Sequence, residues 1–225
     1  MSDKFNKFVS LMLVHFPDVT IAYKDESSLM RFVSRLLFFN HGFMTDFVTT
    51  IGNTVYFPSR TFIENDPDLS IQIFAHECVH INDSTKFGNV VFTLLYLLPQ
   101  LLVLFTIPAL FLFGWWGLLG LLLLGPIPSP TRSYIEKRGY IMSLFVLDRQ
   151  YRAIGLSDNE RILNLHKSAQ MISSRYFAGS AYYFAWPSGI TTELMEAIKA
   201  IDSGDILDTD EVFRHVDAAL VSLRS

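Results

Sequence analysis

The sequence predicts a mainly α-helical protein with a small β-hairpin and a long apolar hairpin. Apolar residues recur at helical spacing on both sides of the chain's middle. Within residues 46–57, DFVTTIGNTVYF, two β-branched and aromatic runs meet at Gly52-Asn53, which is typical of a β-hairpin or of a bent strand. Residues 87–131 form a stretch of 45 residues without a charged side chain. These three observations set the fold class.

The first 88 residues are expected to form one unit. Residues 1–19, MSDKFNKFVSLMLVHFPDV, are amphipathic and predict a first helix, not a secretory signal. Residues 19–23 predict a short strand, and Ser27 or Ser28 is a candidate cap of a second helix. Asp66-Pro67-Asp68 is a helix start, so we expect a helix of about four turns from there.

That last helix carries FAHECVH, residues 74–80. His76 and His80 are four residues apart, so both imidazoles lie on one helix face with Glu77 beside them. Two imidazoles at this spacing can hold a zinc ion, which lowers the pKa of a bound water toward neutrality. Glu77 is then placed to act as a general base. The motif predicts one zinc ion per chain, with Glu77 as the catalytic residue.

The composition and the single cysteine argue against two further features, nucleic-acid binding and a disulfide. The 225 residues are 50% hydrophobic and only 18% charged, with a net charge of −4. This balance, without any basic block, argues against nucleic acid as a partner. The single cysteine, Cys78, cannot form an intramolecular disulfide. Its angle on the helix faces away from both histidines, so we expect a packed residue and not a ligand.

The apolar run is too long for one membrane crossing and rather short for two. Pro99, Pro108 and Gly114 interrupt it, so we predict two short helices near 89–105 and 109–126. The predicted domains are therefore an N-terminal half (1–88), a membrane hairpin (89–128) and a C-terminal helical half (129–225). A membrane-dipping hairpin and the buried hairpin of a soluble core are the alternatives.

Zinc with two histidine ligands requires a third protein ligand in a catalytic site. Glu136, in SYIEKRGYIMSLFVLDRQY (133–151), is the first acidic residue after the hairpin and lies on a predicted helix. His166 and Asp83 are the competitors, although Asp83 shares the helix face of the histidines and suits a supporting role better. His15, His41 and His215 lack partners at ligand spacing.

A ligand beyond the apolar run requires both ends of that run to return to one side of the membrane. Basic residues flank the run at Lys86, Arg132, Lys137 and Arg138, which favours the cytoplasmic side for both halves. The lipid bilayer is thus a predicted partner.

The C-terminal half predicts helices over 158–174, 191–201 and 209–223, with Asp158, Thr191 and Thr209 as caps. Between the first two lies an aromatic stretch in which Tyr182 or Tyr183 is a candidate donor to an oxyanion. Simple packing is the alternative for both tyrosines.

The order of these parts resembles the HtpX and CAAX-prenyl-protease group of membrane gluzincins. The resemblance covers HECVH (76–80) and RSYIEKRGY (132–140), with the hairpin between them. It implies an α+β zincin-like fold, His76, His80 and Glu136 as zinc ligands, and Glu77 as general base. That group usually has an Asp four residues after the ligand Glu, where this chain has Tyr140. Asp83 is a candidate replacement.

Arg138 and Tyr140, close to Glu136 in the sequence, are further candidates for a supporting or oxyanion-binding role. Together the motifs predict a zinc metalloendopeptidase that cleaves membrane or membrane-proximal polypeptides. A non-catalytic, zinc-stabilised membrane protein, with the hairpin as anchor or pore element, is the alternative. A soluble core with a fortuitous motif is the third hypothesis.

Overall fold

A computed structural model describes residues 3–36, 41–98, 100–124, 128–178 and 187–224. Within these ranges the protein is mainly helical, as predicted. The helices are α1 Asp3–Met12, α2 Ser28–Leu36, α3 Arg60–Asn65, α4 Pro67–Phe87, α5 Asn89–Leu97, α6 Thr106–Phe113, α7 Pro130–Ala153, α8 Asp158–Met171, α9 Pro187–Ser203, α10 Ile206–Thr209 and α11 Glu211–Ser222. Two 3₁₀ segments, Gln100–Phe105 and Gly114–Leu124, and a π-helical segment, Ile172–Ala178, complete the helical parts.

The strands form one small sheet. β2 (Thr49–Ile51) and β3 (Thr54–Phe57) are antiparallel and turn at Gly52, whose φ of +58° suits a residue without a Cβ. β1 (Thr20–Tyr23) adds to β3 in parallel, so the order is β1-β3-β2 and β2 lies at an edge. The predicted hairpin and the predicted strand are confirmed, and their union in one sheet is a further feature.

Helix α4 carries the histidine motif through the centre of the molecule. The Asp66 side chain accepts a hydrogen bond from the Leu69 amide at 2.9 Å, and Pro67 occupies the first helical position, as the sequence predicted. The helix continues for 21 residues, nearly six turns instead of the expected four. Phe5 and Phe8 of α1 pack edge-on against Phe74, which fixes the apolar side of α4 in the core.

Helix α7 lies antiparallel to α4. Gln150 donates to the Asp68 carbonyl near one end, and Arg138 pairs with Asp83 near the other. Ser129 caps α7 with Pro130 at its first position, so the helix begins before residues 133–151, the segment in which the sequence predicted it. Proline is well tolerated there because its fixed φ suits the first turn.

The apolar segment differs from the predicted pair of helices. By length and composition alone, the continuous helical run Leu101–Leu123 could cross a membrane. The chain, however, reverses at Gly114, where φ is +59°. Pro108 lies in the first turn of α6, where a missing N–H costs no helical hydrogen bond, so it does not end the helix. The predicted boundaries 89–105 and 109–126 were therefore wrong, and Pro99 falls outside the described residues.

The C-terminal helices are confirmed, but their predicted caps are wrong. Ser157 caps α8 in a capping box with Glu160, Asp210 caps α11, and α9 begins at Pro187, before Thr191. Ser157, directly before the predicted cap Asp158, and Asp210, directly after the predicted cap Thr209, have the extended backbone that a cap requires.

Side chains from both sides of the apolar segment share one hydrophobic core, so α4 and α7 are held together independently of the apolar hairpin.

Candidate metal site

His76, His80 and Glu136 converge where α4 and α7 pack together. The Nε2 atoms of the two histidines are 2.9 Å apart. Glu136 Oε2 lies 3.5 Å from Nε2 of His76 and 3.8 Å from Nε2 of His80. Each of the three residues is only 8% exposed. Three ligand atoms of the types that transition metals prefer therefore face one point, and the group can hold a metal ion.

Two features of sequence create this convergence. The four-residue spacing in α4 stacks the imidazoles on the face that meets α7. Gly139 then lets the helices approach, because a Cβ at that position would lie 2.5 Å from His76 Nε2 and 2.6 Å from Cε1. Any larger residue would occupy the space of the His76 ring. Glu136, one turn earlier on α7, consequently reaches both histidines.

The geometry fits zinc. Ligand bonds of about 2.0–2.1 Å in a tetrahedral site place neighbouring ligand atoms about 3.3 Å apart. The three observed separations of 2.9, 3.5 and 3.8 Å scatter around that value. Two imidazoles and one carboxylate are also a donor set found in catalytic zinc sites, where a fourth position is open.

Glu136 is held through its second oxygen. The Tyr96 hydroxyl, from α5, donates to Glu136 Oε1 at 2.5 Å, which leaves Oε2 for the histidines. Arg132 fixes Tyr96 in turn: its Nε donates to the Tyr96 carbonyl at 2.8 Å, and its guanidinium lies 4.9 Å from the ring centre. Burial raises the pKa of Glu136, but hydrogen bonds with His76 and His80 outweigh it and hold that pKa well below its usual value.

The two histidines have different surroundings. His76 Nδ1 lies 3.2 Å from the Ser143 hydroxyl of α7, and this contact directs the Nε2 atom toward Glu136. His80 Nδ1 is buried and has no hydrogen-bond partner within the described ranges. Burial lowers the pKa of His80, but the neighbouring Glu136 carboxylate raises it more, and the net shift is upward.

Glu77 lies at the border of this buried group. It is half-buried, unlike the three ligand candidates. The Thr50 hydroxyl, on edge strand β2, donates to Glu77 Oε2 at 2.7 Å. The carboxylate is thus oriented from the sheet and remains partly open to solvent.

The other predicted residues lie around this centre in different roles. Arg138 pairs with Asp83 and with Asp210, the cap of α11, so it links three helices. Burial raises the pKa of Asp83 despite its guanidinium partner. Tyr140 packs edge-on against the His76 ring at 4.9 Å between ring centres and stacks on Tyr176.

Three further predictions concern residues away from the group. Cys78 is fully buried in the core, and burial raises the pKa of its thiol. His166 lies on α8 and is not among the His, Cys, Asp and Glu residues that the described ranges bring together at this point. Tyr182 and Tyr183 lie outside the described residues.

Sequence reasoning missed Tyr96, Ser143, Gly139 and Thr50. Gly139 and Ser143 follow Glu136 by three and seven residues, so helical spacing places all three on one face of α7. That spacing was the available signal. Tyr96 and Thr50 reach the site through the tertiary fold and have no local signature.

Comparison of the chain with protein-family models, with curated proteins and with solved structures finds no match.

Proposed function

We propose that the protein is a membrane-associated zinc metallopeptidase of the gluzincin type, with a zincin-like arrangement of its catalytic helices. The observation that carries this proposal is the meeting of His76, His80 and Glu136 at ligand distances, with Glu77 beside them. The proposed substrates are membrane or membrane-proximal polypeptides, as in the group that the motifs resemble.

Each side chain has a defined task in this proposal. His76, His80 and Glu136 would hold the zinc ion, which supplies an activated water and polarises a peptide carbonyl. Glu77 accepts the proton of the attacking water and returns it to the departing amine. The Thr50 hydroxyl keeps one Glu77 oxygen in place, which leaves the other oxygen for the proton.

The position of the partly exposed Glu77 beside the sheet also suggests how a peptide would approach. Thr50 belongs to β2, an edge strand of the sheet. A free strand edge can pair with an extended peptide through backbone hydrogen bonds. A peptide added along β2 would pass the Glu77 carboxylate, because Thr50 of that strand donates a hydrogen bond to it.

One departure from the resembled group has a counterpart in the fold. The usual Asp position, four residues after Glu136, is Tyr140, which packs against the His76 ring. Ser143, three residues later, contacts His76 Nδ1. We propose that Ser143 orients the histidine, the task expected of the missing Asp.

The alternative function, a structural metal site, is favoured by one observation. All three ligand candidates are deeply buried, as in metal sites that only connect helices. In that case metal would stabilise the packing of α4 against α7, and Glu77 would contribute nothing.

Glu77→Gln separates the two functions. The purified protein in detergent is incubated with zinc and a fluorogenic peptide library, and cleavage and bound zinc are both measured. The proposal predicts cleavage by the wild type, a loss of about 10²-fold or more in the variant, and unchanged zinc content. Zinc binding without cleavage by the wild type would support the structural site instead.

A further inference from the structure

The apolar segment folds back on itself. Gly117 lies against α6, because a Cβ there would be 2.5 Å from the Leu110 amide nitrogen and 2.6 Å from the Ala109 carbonyl carbon. Gly120 lies equally close to the Thr106 side chain. In a straight α-helix residues 117 and 110 would be about 10 Å apart along the axis, and residues 120 and 106 about 21 Å apart. The run therefore consists of two packed arms, 100–113 and 114–124.

The spacing of the glycines explains the packing. Residues three apart are aligned in a 3₁₀-helix, so Gly114, Gly117 and Gly120 lie in one row of the Gly114–Leu124 segment. Gly114 makes the reversal, and the other two allow the arms to touch. Small residues at such a seam let helices approach closely, as in membrane-embedded helix pairs.

The hairpin buries a polar side chain and exposes large apolar ones, the reverse of the distribution expected in water. Thr106 is 6% exposed and faces the seam, whereas Phe111 is 87% and Trp115 85% exposed. The other large apolar side chains on its outside include Leu104, Phe105, Leu112, Phe113, Trp116, Leu119 and Leu122. An outer surface of this kind, on a segment without charge, fits hydrocarbon and not solvent.

Both ends of the hairpin are fixed at one place. The Ser129 hydroxyl donates to the Leu98 carbonyl, and the Thr131 hydroxyl donates to the Leu95 carbonyl at 2.7 Å. The chain therefore enters and leaves the hairpin beside the first turn of α7, two turns from Glu136.

The arms are too short to cross a bilayer. With a rise of about 1.5 Å per residue in α-helix and about 2.0 Å in 3₁₀-helix, the arms are about 24 Å and about 22 Å long. The hydrocarbon core is about 30 Å thick, or about 40–45 Å with the headgroups. Even an untilted hairpin that starts at the inner edge of the headgroups ends before the opposite interface.

We propose that residues 100–124 form a hairpin that enters the bilayer from the side of the two flanking halves and ends inside it, without crossing. Its partner is the lipid hydrocarbon. The inference rests on the membrane association of the proposed function but not on its metal chemistry. It places the metal site next to the membrane surface, because Tyr96 and Leu98 at the hairpin's base contact Glu136 and the start of α7.

Cysteine labelling in reconstituted phosphatidylcholine vesicles tests the proposal on the full chain. Leu112→Cys places a thiol at the tip, and Lys7→Cys places one on the exposed side of α1. Wild-type Cys78 is fully buried and gives the background. A membrane-impermeant maleimide is added before and after a pore-forming peptide opens the vesicles.

The proposal predicts that Lys7→Cys is labelled completely once the vesicles are open, while Leu112→Cys is labelled only in denaturing detergent. Labelling of Leu112→Cys in opened vesicles, on the side opposite Lys7→Cys, would show a hairpin that crosses and would overturn this inference alone. A protein that stays monodisperse without detergent, with its tip labelled, would overturn membrane association as well. A monodisperse protein without detergent whose tip is shielded, because two hairpins pair in a soluble dimer, would overturn membrane association equally.

A second measurement needs no change at the tip. In a Trp186→Phe variant the remaining tryptophans are Trp115 and Trp116. We expect lipids with brominated chains to quench their fluorescence strongly and aqueous iodide to leave it unchanged, also in opened vesicles. Quenching by iodide in opened vesicles would contradict the proposal.

Discussion

Gly139 is the residue on which the convergence of the ligand candidates depends most directly. A methyl group at this position would overlap His76 ring atoms at 2.5–2.7 Å, so the ring must rotate away or the helices must separate. We expect Gly139→Ala to reduce zinc affinity at least about tenfold and to destabilise the fold by about 1–3 kcal/mol. Competition with a chelating dye and chemical denaturation measure the two effects.

Gly189→Ala is the matched control, since nothing lies within 4 Å of a Cβ at that position of α9. This variant should keep its zinc affinity and gain up to about 1 kcal/mol from helix propensity. Equal zinc affinities in the two variants would contradict the close approach of α7 to His76.

Tyr96 reaches the site from the base of the apolar hairpin and holds Glu136 Oε1. Partners that orient a metal ligand typically contribute about 10–100-fold to metal affinity. We therefore expect Tyr96→Phe to weaken zinc binding by about that factor while the fold is retained. Tyr134→Phe removes a hydroxyl from an exposed position on α7 and should change nothing. An unchanged affinity in Tyr96→Phe would show that the hydroxyl does not position Glu136.

The sequence predicted the three ligand candidates that converge, but not the residues that orient them. His76, Glu77 and His80 are recognisable because their spacing alone fixes a common helix face. Glu136 was one of several candidates, since the pairing of α4 with α7 depends on the whole core. Helical spacing places Ser143 on the same face of α7 as Glu136, but its contact with His76 depends on that pairing. Tyr96 reaches Glu136 through the path of the chain into α5 and has no local signature.

Among the elements, β1 and the segment after α2 are connected through a buried lysine. Lys24, next to β1, is fully buried, and its ammonium donates to the carbonyls of Phe43 at 2.6 Å and Phe47 at 2.8 Å. Burial lowers the pKa of Lys24 to about 8, although the charge of Glu77 opposes the shift. An unfolded chain keeps the ordinary value of 10.5.

Between these two pKa values the unfolded state binds the additional proton, so stability rises with pH. We expect the wild type to gain up to about 3 kcal/mol relative to Lys24→Met from pH 8 to pH 10.5. Denaturant unfolding of both proteins over this range measures the difference, in which the titration of other groups cancels. A constant difference would mean that Lys24 is not protonated differently in the two states.

The elements also show where local signals fail. The turn at Gly52-Asn53 and the start of α4 at Asp66 depend on nearby residues, and the sequence predicted both. The break of the apolar run was placed near Pro108, yet the chain turns at Gly114, whose positive φ few residues other than glycine adopt. Proline breaks a helix only when it lies beyond the helix's first turn. A uniformly apolar sequence does not show where a helix begins, so it does not show whether Pro108 lies in a first turn.

At the scale of the whole molecule, the site joins two parts of the chain that the apolar segment separates. His76 and His80 precede the hairpin, and Glu136 follows it. The two ends of the hairpin meet at the contact between Ser129 and Leu98, and their placement on one side of a membrane stays a prediction. Metal bound by residues from both halves would stabilise their association, since ligands that bind only the native state add to its stability.

The most direct test of the account is the zinc content of the detergent-purified protein, compared between wild type and Glu136→Gln. Glu193→Gln, an exposed partner of Lys137, serves as the control. We predict close to one zinc per chain in the wild type and the control, and a small fraction of that in Glu136→Gln at the same chelator concentration. Full zinc in Glu136→Gln would show that the third ligand lies elsewhere, and a wild type that takes up no added zinc would contradict the proposed metal site altogether.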